Sequence, residues 1–365
     1  MSSSKALADV VIAVSGIHRG ESPQPGGAVV SSLRRLVPDI RVIGLCYDPM
    51  ESGIYSHDID RVDRAFLFPY PDNGPEALLK RLDEIIAEER IDLIVPCLDS
   101  EIENFIAIEA DLADRGIKVC LPSLQSFEDR DKKNLAEFCK QTGVPSPKTY
   151  AANDAAQLAA FTAEIGFPCY VKGRLYGAKR VYNLSQLYQA FDEIFGIWGG
   201  PVLLQEIVIG EEFNLVGVGD GQGRIIGHTA IRKLLRTRLG KGFGGVVVED
   251  PAIVELAEKI IRELRWNGPF ELEFLKSPGR PHFLFEMNPR FPSWVDFPTQ
   301  TGCNLPLALV EMALNLPISD LAVPPAGRMF LRHCADIVTD IADIARIGTG
   351  GDTDSSNEIG IGSPT

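Results

Sequence analysis

Two carboxylate-bearing runs lie close together in this sequence. Glu271 and Glu273 sit in Gly268-Pro269-Phe270-Glu271-Leu272-Glu273-Phe274-Leu275. Glu286, Asn288 and Arg290 sit in His282-Phe283-Leu284-Phe285-Glu286-Met287-Asn288-Pro289-Arg290. The intervening Lys276-Ser277-Pro278-Gly279-Arg280 has the composition of a turn. Side chains alternate faces along a strand. Phe270, Leu272 and Phe274 therefore share one face, and Glu271 and Glu273 share the other. On the second strand Phe283, Phe285 and Met287 point one way, and Leu284, Glu286 and Asn288 the other. A hairpin thus brings Glu273, Glu286 and Asn288 to one surface, within reach of a common cation. Magnesium takes hard oxygen ligands and keeps several waters, so two carboxylates and an amide oxygen suit it. The competing reading is a solvated polar face on an edge hairpin. It accounts for Glu271 and Glu273, but less well for Glu286 to Arg290, where polar groups interrupt an aromatic run.

The first third of the chain alternates strand-like and helix-like patterns. Apolar, β-branched strands are expected at residues 9–14, 41–47, 91–96 and 117–120. Helical spacing covers Ala28 to Leu36, Leu78 to Ile86 and Glu101 to Arg115, and Gly16 to Gly27 reads as a loop. Alternating βα units with continuous apolar strands predict a doubly wound parallel sheet over residues 1–120. A helix then opens at Asp129 or Asp131 and ends at Gly143, followed by Pro145 and Pro147. Strands are expected at 168–172, 202–208, 213–218 and 225–230, a helix at 253–264, the hairpin above, and a helix at 305–315. The tail from Gly348 has little to bury and is expected to be mobile.

Composition narrows the function classes. Of 365 residues 45% are hydrophobic, enough for a sizeable core, and the formal net charge is −14. Such a surface repels nucleic-acid phosphates, so no nucleic-acid partner is expected. No apolar run reaches the roughly 18 residues of a membrane span, and Met1 to Lys5 lacks a signal-peptide core. The reading is a cytoplasmic protein without a membrane partner. The seven cysteines are scattered without zinc-ligand spacing and read as buried free thiols. A homodimer is the base-rate expectation for assembly.

Glu286-Met287-Asn288-Pro289-Arg290 resembles the terminal metal-binding motif of the ATP-grasp superfamily. Three further stretches resemble the same family in the same order. They are Asp131-Lys132 with Gly143-Val144-Pro145, Gly166 to Lys172, and Leu204-Gln205-Glu206-Ile207-Val208-Ile209-Gly210-Glu211-Glu212-Phe213. The resemblance spans residues 90 to 316. It implies an α/β and α+β protein: a doubly wound pre-ATP-grasp domain over 1–120, a two-lobed ATP-grasp domain over 121–330 with its lid at about 148–210, and a C-terminal segment over 331–365. It also implies ATP and Mg2+, with Mn2+ as a substitute ion. By this resemblance Lys132 and Lys172 neutralise phosphate oxygens. Glu206 and Val208 hold the adenine edge, largely through main chain, and Glu212 accepts from ribose. Glu273, Glu286 and Asn288 hold magnesium. Arg290 and Lys233 stabilise the transferring phosphoryl or acyl-phosphate group.

Each residue has a plainer reading. One of Lys132 and Lys133 is an exposed helix lysine, Glu212 is a surface acid beside Glu211, and Arg290 pairs with a neighbouring carboxylate. The basic stretch Arg232 to Arg238 with Lys241 is either a solvated loop or the local positive field an acidic ATP enzyme needs. Asp99 and Glu101 lie beyond a strand's C-terminal end, where open α/β sheets bind ligands, but they equally suit a helix N-cap and first turn. Where many members have a glycine-rich loop, this chain has Gly173-Arg174-Leu175-Tyr176-Gly177-Ala178-Lys179-Arg180. Lys179 and Arg180 either replace the loop amides or bind an anionic substrate.

The function implied is an ATP-dependent carboxylate–amine ligase forming carbon–nitrogen bonds, with amino acid or peptide substrates. The rivals are a small-molecule kinase and a nucleotide-binding module without turnover.

Overall fold

The computed structural model describes residues 7–20, 22–173, 177–237 and 240–348. Arg174, Leu175, Tyr176, Arg238 and the tail beyond Gly348 lie outside the described residues.

The chain opens as a parallel βα layer. Its elements are β1 (Val11–Ser15), α1 (Gly26–Leu36), β2 (Arg41–Cys46), β3 (Arg64–Leu67), α2 (Gly74–Ile86) and β4 (Leu93–Val95). The strand order is β3-β2-β1-β4, with all pairings parallel. Two connections differ from expectation. Residues 117–120 form no strand, only a bridge between Leu93 and Lys118. The helix expected over 101–115 is two, α3 (Asp99–Ala107) and α4 (Glu109–Asp114).

Next come α5 (Leu124–Asp129) and α6 (Leu135–Thr142). The expected start at Asp129 or Asp131 is therefore early by a turn or more. The Asn134 and Leu135 amides instead bond to the Asp131 carbonyl. Gly143, at φ 70, ends α6 in the left-handed conformation that glycine tolerates without a Cβ penalty.

The stretch expected to form the lid follows as β5 (Thr149–Ala152), α7 (Ala155–Ala160), α8 (Thr162–Ile165), β6 (Cys169–Lys172), β7 (Ala178–Val181), α9 (Leu184–Trp198) and β8 (Val202–Glu206). It makes a sheet of order β5-β8-β6-β7 over its own core. Hydrophobic spacing does not isolate α9. Exposed Leu184, Tyr188 and Trp198 run beside buried Leu187, Ala190, Phe191 and Ile194 and blur the helical period.

The rest is a six-stranded sheet of order β13-β12-β9-β10-β11-β14. It is built from β9 (Glu211–Asp220), β10 (Ile225–Arg236), β11 (Gly242–Val247), α10 (Pro251–Leu264), β12 (Asn267–Lys276), β13 (His282–Asn288), α11 (Asp296–Gln300), α12 (Leu305–Ala313), β14 (Met329–Leu331) and α13 (Ile341–Gly348).

One core spans the parallel layer and this sheet. It joins Val14, Val29 and Leu33 to Val216, Ile231, Phe291, Leu305 and Ile347. Fully burying one such side chain is worth roughly 1.5–3 kcal/mol. No helix among the described residues is long and apolar enough to cross a membrane. Six of the seven cysteines are buried free thiols, and Cys334 is exposed.

Candidate functional site

The hairpin β12–β13 forms with Glu271 opposite Asn288 and Glu273 opposite Glu286. The expected face carrying Glu273, Glu286 and Asn288 is therefore present. One side chain departs from it. The register shifts between Glu273 and Phe274, so Phe274 pairs with Leu284 and Phe285 is the extra residue. The bulge turns Leu284 onto the other face, into the core with Phe270, Leu272 and Phe274. The Leu284 amide then bonds to the Pro145 carbonyl, which ties the approach to the lid onto the hairpin.

Two carboxylates directly opposed across strands repel, and lysines offset them. Lys132 Nζ is 3.1 Å from Glu286 Oε1. Lys233 Nζ donates to Glu273 Oε2 at 2.6 Å and lies 3.4 Å from Glu212 Oε2. Lys132 is thus the inward member of its pair, and Lys133 is exposed. Lys233 belongs to the site as well, with its side chain only 3% exposed. Burial pulls its pKa down, but Glu273 and Glu271 outweigh that and hold it above the usual lysine range. Glu212 also pairs with Arg236. Asn288 Nδ2 donates to Glu271 Oε2 and Glu273 Oε1, each at 3.1 Å. Its Oδ1 lies on the opposite side of the amide.

Arg290 joins the two layers. Its Nε donates to Asp99 Oδ2 at 2.9 Å and its Nη1 to Glu271 Oε2 at 3.3 Å. Burial opposes the charge, but Asp99 and Glu271 keep it firmly protonated. Asp99 therefore faces the site from the first residue of α3. Glu101 does not, being fully buried. It accepts from Ser15 and Tyr47 hydroxyls and from the Cys97 and Leu98 amides, and so serves as a cap and strut.

Across the cleft, on the lid, Lys172 Nζ donates to Gln205 Oε1 at 2.6 Å, and Gln205 Nε2 donates to Thr149 Oγ1 at 2.9 Å. Burial pushes the Lys172 pKa down to about 8, and the Lys132 charge adds to the effect. Lys132, Lys172, Gln205 and Phe285 line a cavity of about 20 Å³ between lid and hairpin, room for about one water molecule. Glu206 ends β8, and its amide bonds to the Lys148 carbonyl. Val208 is buried just beyond it. Lys179 and Arg180 do not turn into the cleft. Lys179 pairs with Glu193, and Arg180 stacks over Tyr182 at 5.2 Å.

Several residues in or beside the site carried no assigned role in the sequence reading. Glu271, read there as one of a solvated pair, is buried. Arg130 stacks on Phe127 at 4.1 Å, and burial lowers its pKa. Lys241, whose pKa burial and the Arg290 charge also lower, has the Ser22 and Pro23 carbonyls at 3.4 Å as neighbours rather than a carboxylate. Gln205 carried no role although its motif was quoted. A polar residue within an apolar strand is the signal for Glu271 in β12 and Gln205 in β8, whereas Arg130 and Lys241 lie in connections and carry no such signal.

Among the described residues no three His, Cys, Asp or Glu side chains converge on an ion position. Two carboxylates and an amide oxygen still fit magnesium, which takes further ligands from substrate phosphates. Lysine ammonium groups already meet both carboxylates, which is the charge such an ion would bring.

Comparison with known proteins places this arrangement. A family described as "ATP-grasp in the biosynthetic pathway with Ter operon" matches residues 200–333, which hold β8 to β14 and the hairpin. The C-terminal section of the carbamoyl phosphate synthase large chain of Methanopyrus kandleri is 23% identical over 250 residues, covering 60% of this chain and 46% of that one. Residues 200–333 are thus similar to an ATP-grasp family. Solved structures share the fold. Biotin carboxylase of Campylobacter jejuni superposes with a TM-score of 0.67 at 17% identity, covering 86% of this chain and 73% of that one. L-amino acid ligase of Bacillus licheniformis superposes with a TM-score of 0.63 at 16% identity, covering 84% and 74%. This chain spans under half the length of the Methanopyrus relative.

Proposed function

We propose that this chain is a magnesium- and ATP-dependent ligase that activates a carboxylate as an acyl phosphate and passes it to an amine or similar nucleophile. The observation that carries the reading is a chain of contacts: Lys172 shares a small cavity with Lys132, Lys132 pairs with Glu286, Glu286 lies opposite Glu273, and Asn288 bonds to Glu273 and shares Glu271 with Arg290. The family match supports the ligase class.

In this reading Lys132 and Lys172 neutralise phosphate oxygens and Glu212 accepts from ribose. Main-chain groups of Glu206 and Val208 hold the adenine edge. Glu273, Glu286 and Asn288 hold magnesium, which offsets phosphate charge when bound. Arg290 and Lys233 hold the transferring group, and Lys241 is suited to the substrate carboxylate. A carboxylate oxygen attacks the γ-phosphorus, the bond to the ADP oxygen breaks, and ADP leaves. The amine nitrogen then attacks the acyl carbon, the carbon–oxygen bond to phosphate breaks, and the amine proton leaves to solvent. Phosphoryl transfer relies on positioning and charge neutralisation rather than covalent catalysis. No serine or cysteine nucleophile is needed.

The test is ADP release with ATP, Mg2+ and hydroxylamine across pools of amino acids and other carboxylates. Hydroxylamine traps acyl phosphates as hydroxamates. ADP with hydroxamate in one pool is expected, and it names the carboxylate class. ADP without hydroxamate favours the kinase. ATP binding without ADP favours a binding module. Glu286→Gln and Asn288→Ala should each lower ADP release about 100-fold or more with circular dichroism unchanged. Unchanged release in both would remove the metal assignment.

A further inference from the structure

Glu271 has no role in the reaction as set out above, yet it touches two of the residues that do. It is 4% exposed and accepts four hydrogen bonds, sorted by oxygen. Oε1 takes Asn214 Nδ2 at 2.7 Å and Trp294 Nε1 at 3.0 Å. Oε2 takes Asn288 Nδ2 at 3.1 Å and Arg290 Nη1 at 3.3 Å. Asn214 lies on the central strand β9 and is fully buried, and Trp294 packs in the core shared by the two layers. One oxygen is therefore fixed to scaffold and the other to the site.

An ionised carboxylate only accepts hydrogen bonds. Oε2 thus requires Asn288 to present its nitrogen, which turns Oδ1 away from Glu271. It also requires Arg290 to present Nη1, which leaves Nη2 as the guanidinium edge not engaged by Asp99, Glu271 or the Phe291 carbonyl.

We propose that Glu271 is a positioning residue: held through Oε1, it sets through Oε2 both the amide orientation of Asn288 and the guanidinium plane of Arg290. The inference rests on the ligase reading for the roles of those two side chains. Glutamine at this position has one acceptor and one donor. Its NH2 must face N–H donors on either the scaffold side or the site side; on the site side Glu271→Gln leaves Glu273 Oε1 as the remaining acceptor for Asn288 and loosens its orientation while nearly preserving volume.

The experiment is calorimetric ADP binding with and without Mg2+, with thermal melts, on the full chain, Glu271→Gln and Trp294→Phe. Outer partners of metal ligands typically change metal affinity about 10–100-fold. Glu271→Gln should therefore keep its Mg2+-free ADP affinity within about twofold and lose about tenfold of the Mg2+ enhancement. Trp294→Phe removes one scaffold donor and leaves Asn214 in place. It should lower the melting temperature and keep the enhancement. Full enhancement in Glu271→Gln overturns the inference alone, and equal losses in both variants reduce Glu271 to scaffold and overturn it too. If the unaltered chain shows no Mg2+ enhancement, the metal assignment falls and this inference with it. Should Glu271→Gln not fold, Glu271→Asp, which keeps the charge but withdraws the oxygens, is judged by the same loss.

Discussion

Lys172 holds its charge where water is scarce. Its nearest acceptor is the neutral Gln205 amide, and its pKa falls to about 8. Under the proposed function, phosphate oxygens would restore the lost solvation, so the charged lysine is the form that would bind nucleotide. ADP affinity should be level below pH 7 and fall as pH rises through 8. With the proton-bound fraction following a pKa of about 8, affinity at pH 9 should be about one tenth of its low-pH value. Lys172→Arg, charged across this range, should flatten the profile, and Lys172→Ala should weaken binding at pH 7. A pH-independent affinity in the unaltered chain would take Lys172 out of the site. At this scale the sequence was informative wherever a charged residue closed an apolar strand, as Lys172 does. Glu271 was not legible in the same way, because strand alternation gives it the same face as Glu273 without saying that Trp294 and Arg290 cover it.

At the scale of elements, turns beyond the strand ends set the site's neighbours. The Gly16 to Gly27 loop returns so closely that a Cβ on Gly26 would lie 2.2 Å from the Ser15 carbonyl oxygen. Its Ser22 and Pro23 carbonyls reach Lys241. Past β2, Glu51 accepts from the Tyr47 amide at 2.6 Å, and its Oε2 is buried without a hydrogen-bond partner. Burial raises its pKa from the ordinary 4.5 to about 7. A carboxyl raised on folding contributes stability fully below its unfolded pKa and loses it as pH rises through the folded value. The window is therefore about pH 4.5 to 7. Glu51→Gln, which keeps an acceptor and removes the titration, should melt higher than the unaltered chain at pH 8 and show no gain at pH 4.5. The gap of about 2.5 pH units sets an upper bound of roughly 3 kcal/mol. An equal melting-temperature difference at both pH values would show that Glu51 is not the titrating group. The bulge at Phe285 belongs to the same scale. Alternation alone cannot reveal an inserted residue, because the shift appears only when β13 pairs with β12.

For the whole molecule, the parallel layer and the six-stranded sheet act as one unit, and the lid has a core of its own. Besides the shared core, Arg35 binds Asp296 through two hydrogen bonds of 2.8 Å, and Asn304 Nδ2 donates to the Ser32 carbonyl at 2.7 Å. A fragment starting at residue 121 would expose Val216, Ile231 and Leu305, which are buried here. It should be insoluble, or lack the near-ultraviolet circular dichroism of packed aromatic side chains. A soluble fragment melting cooperatively would show that the two layers fold independently. Asp99 reaches Arg290 only because those layers are fused, so the site's arginine is held from both.

The sequence by itself determined the succession of βα units, the hairpin and the face that gathers Glu273, Glu286 and Asn288. Those follow from local periodicity and turn chemistry, which act over a few residues. It also carried the ordered motifs that resemble the ATP-grasp superfamily. Tertiary structure alone decided that Glu101 is a buried strut while Asp99 faces the site. It also decided that Lys179 and Arg180 turn to Glu193 and Tyr182, and that Glu271 stands between scaffold and site. Those outcomes depend on partners far apart in sequence, such as Asp99 and Arg290, and on which charged group the packing leaves close enough to bond.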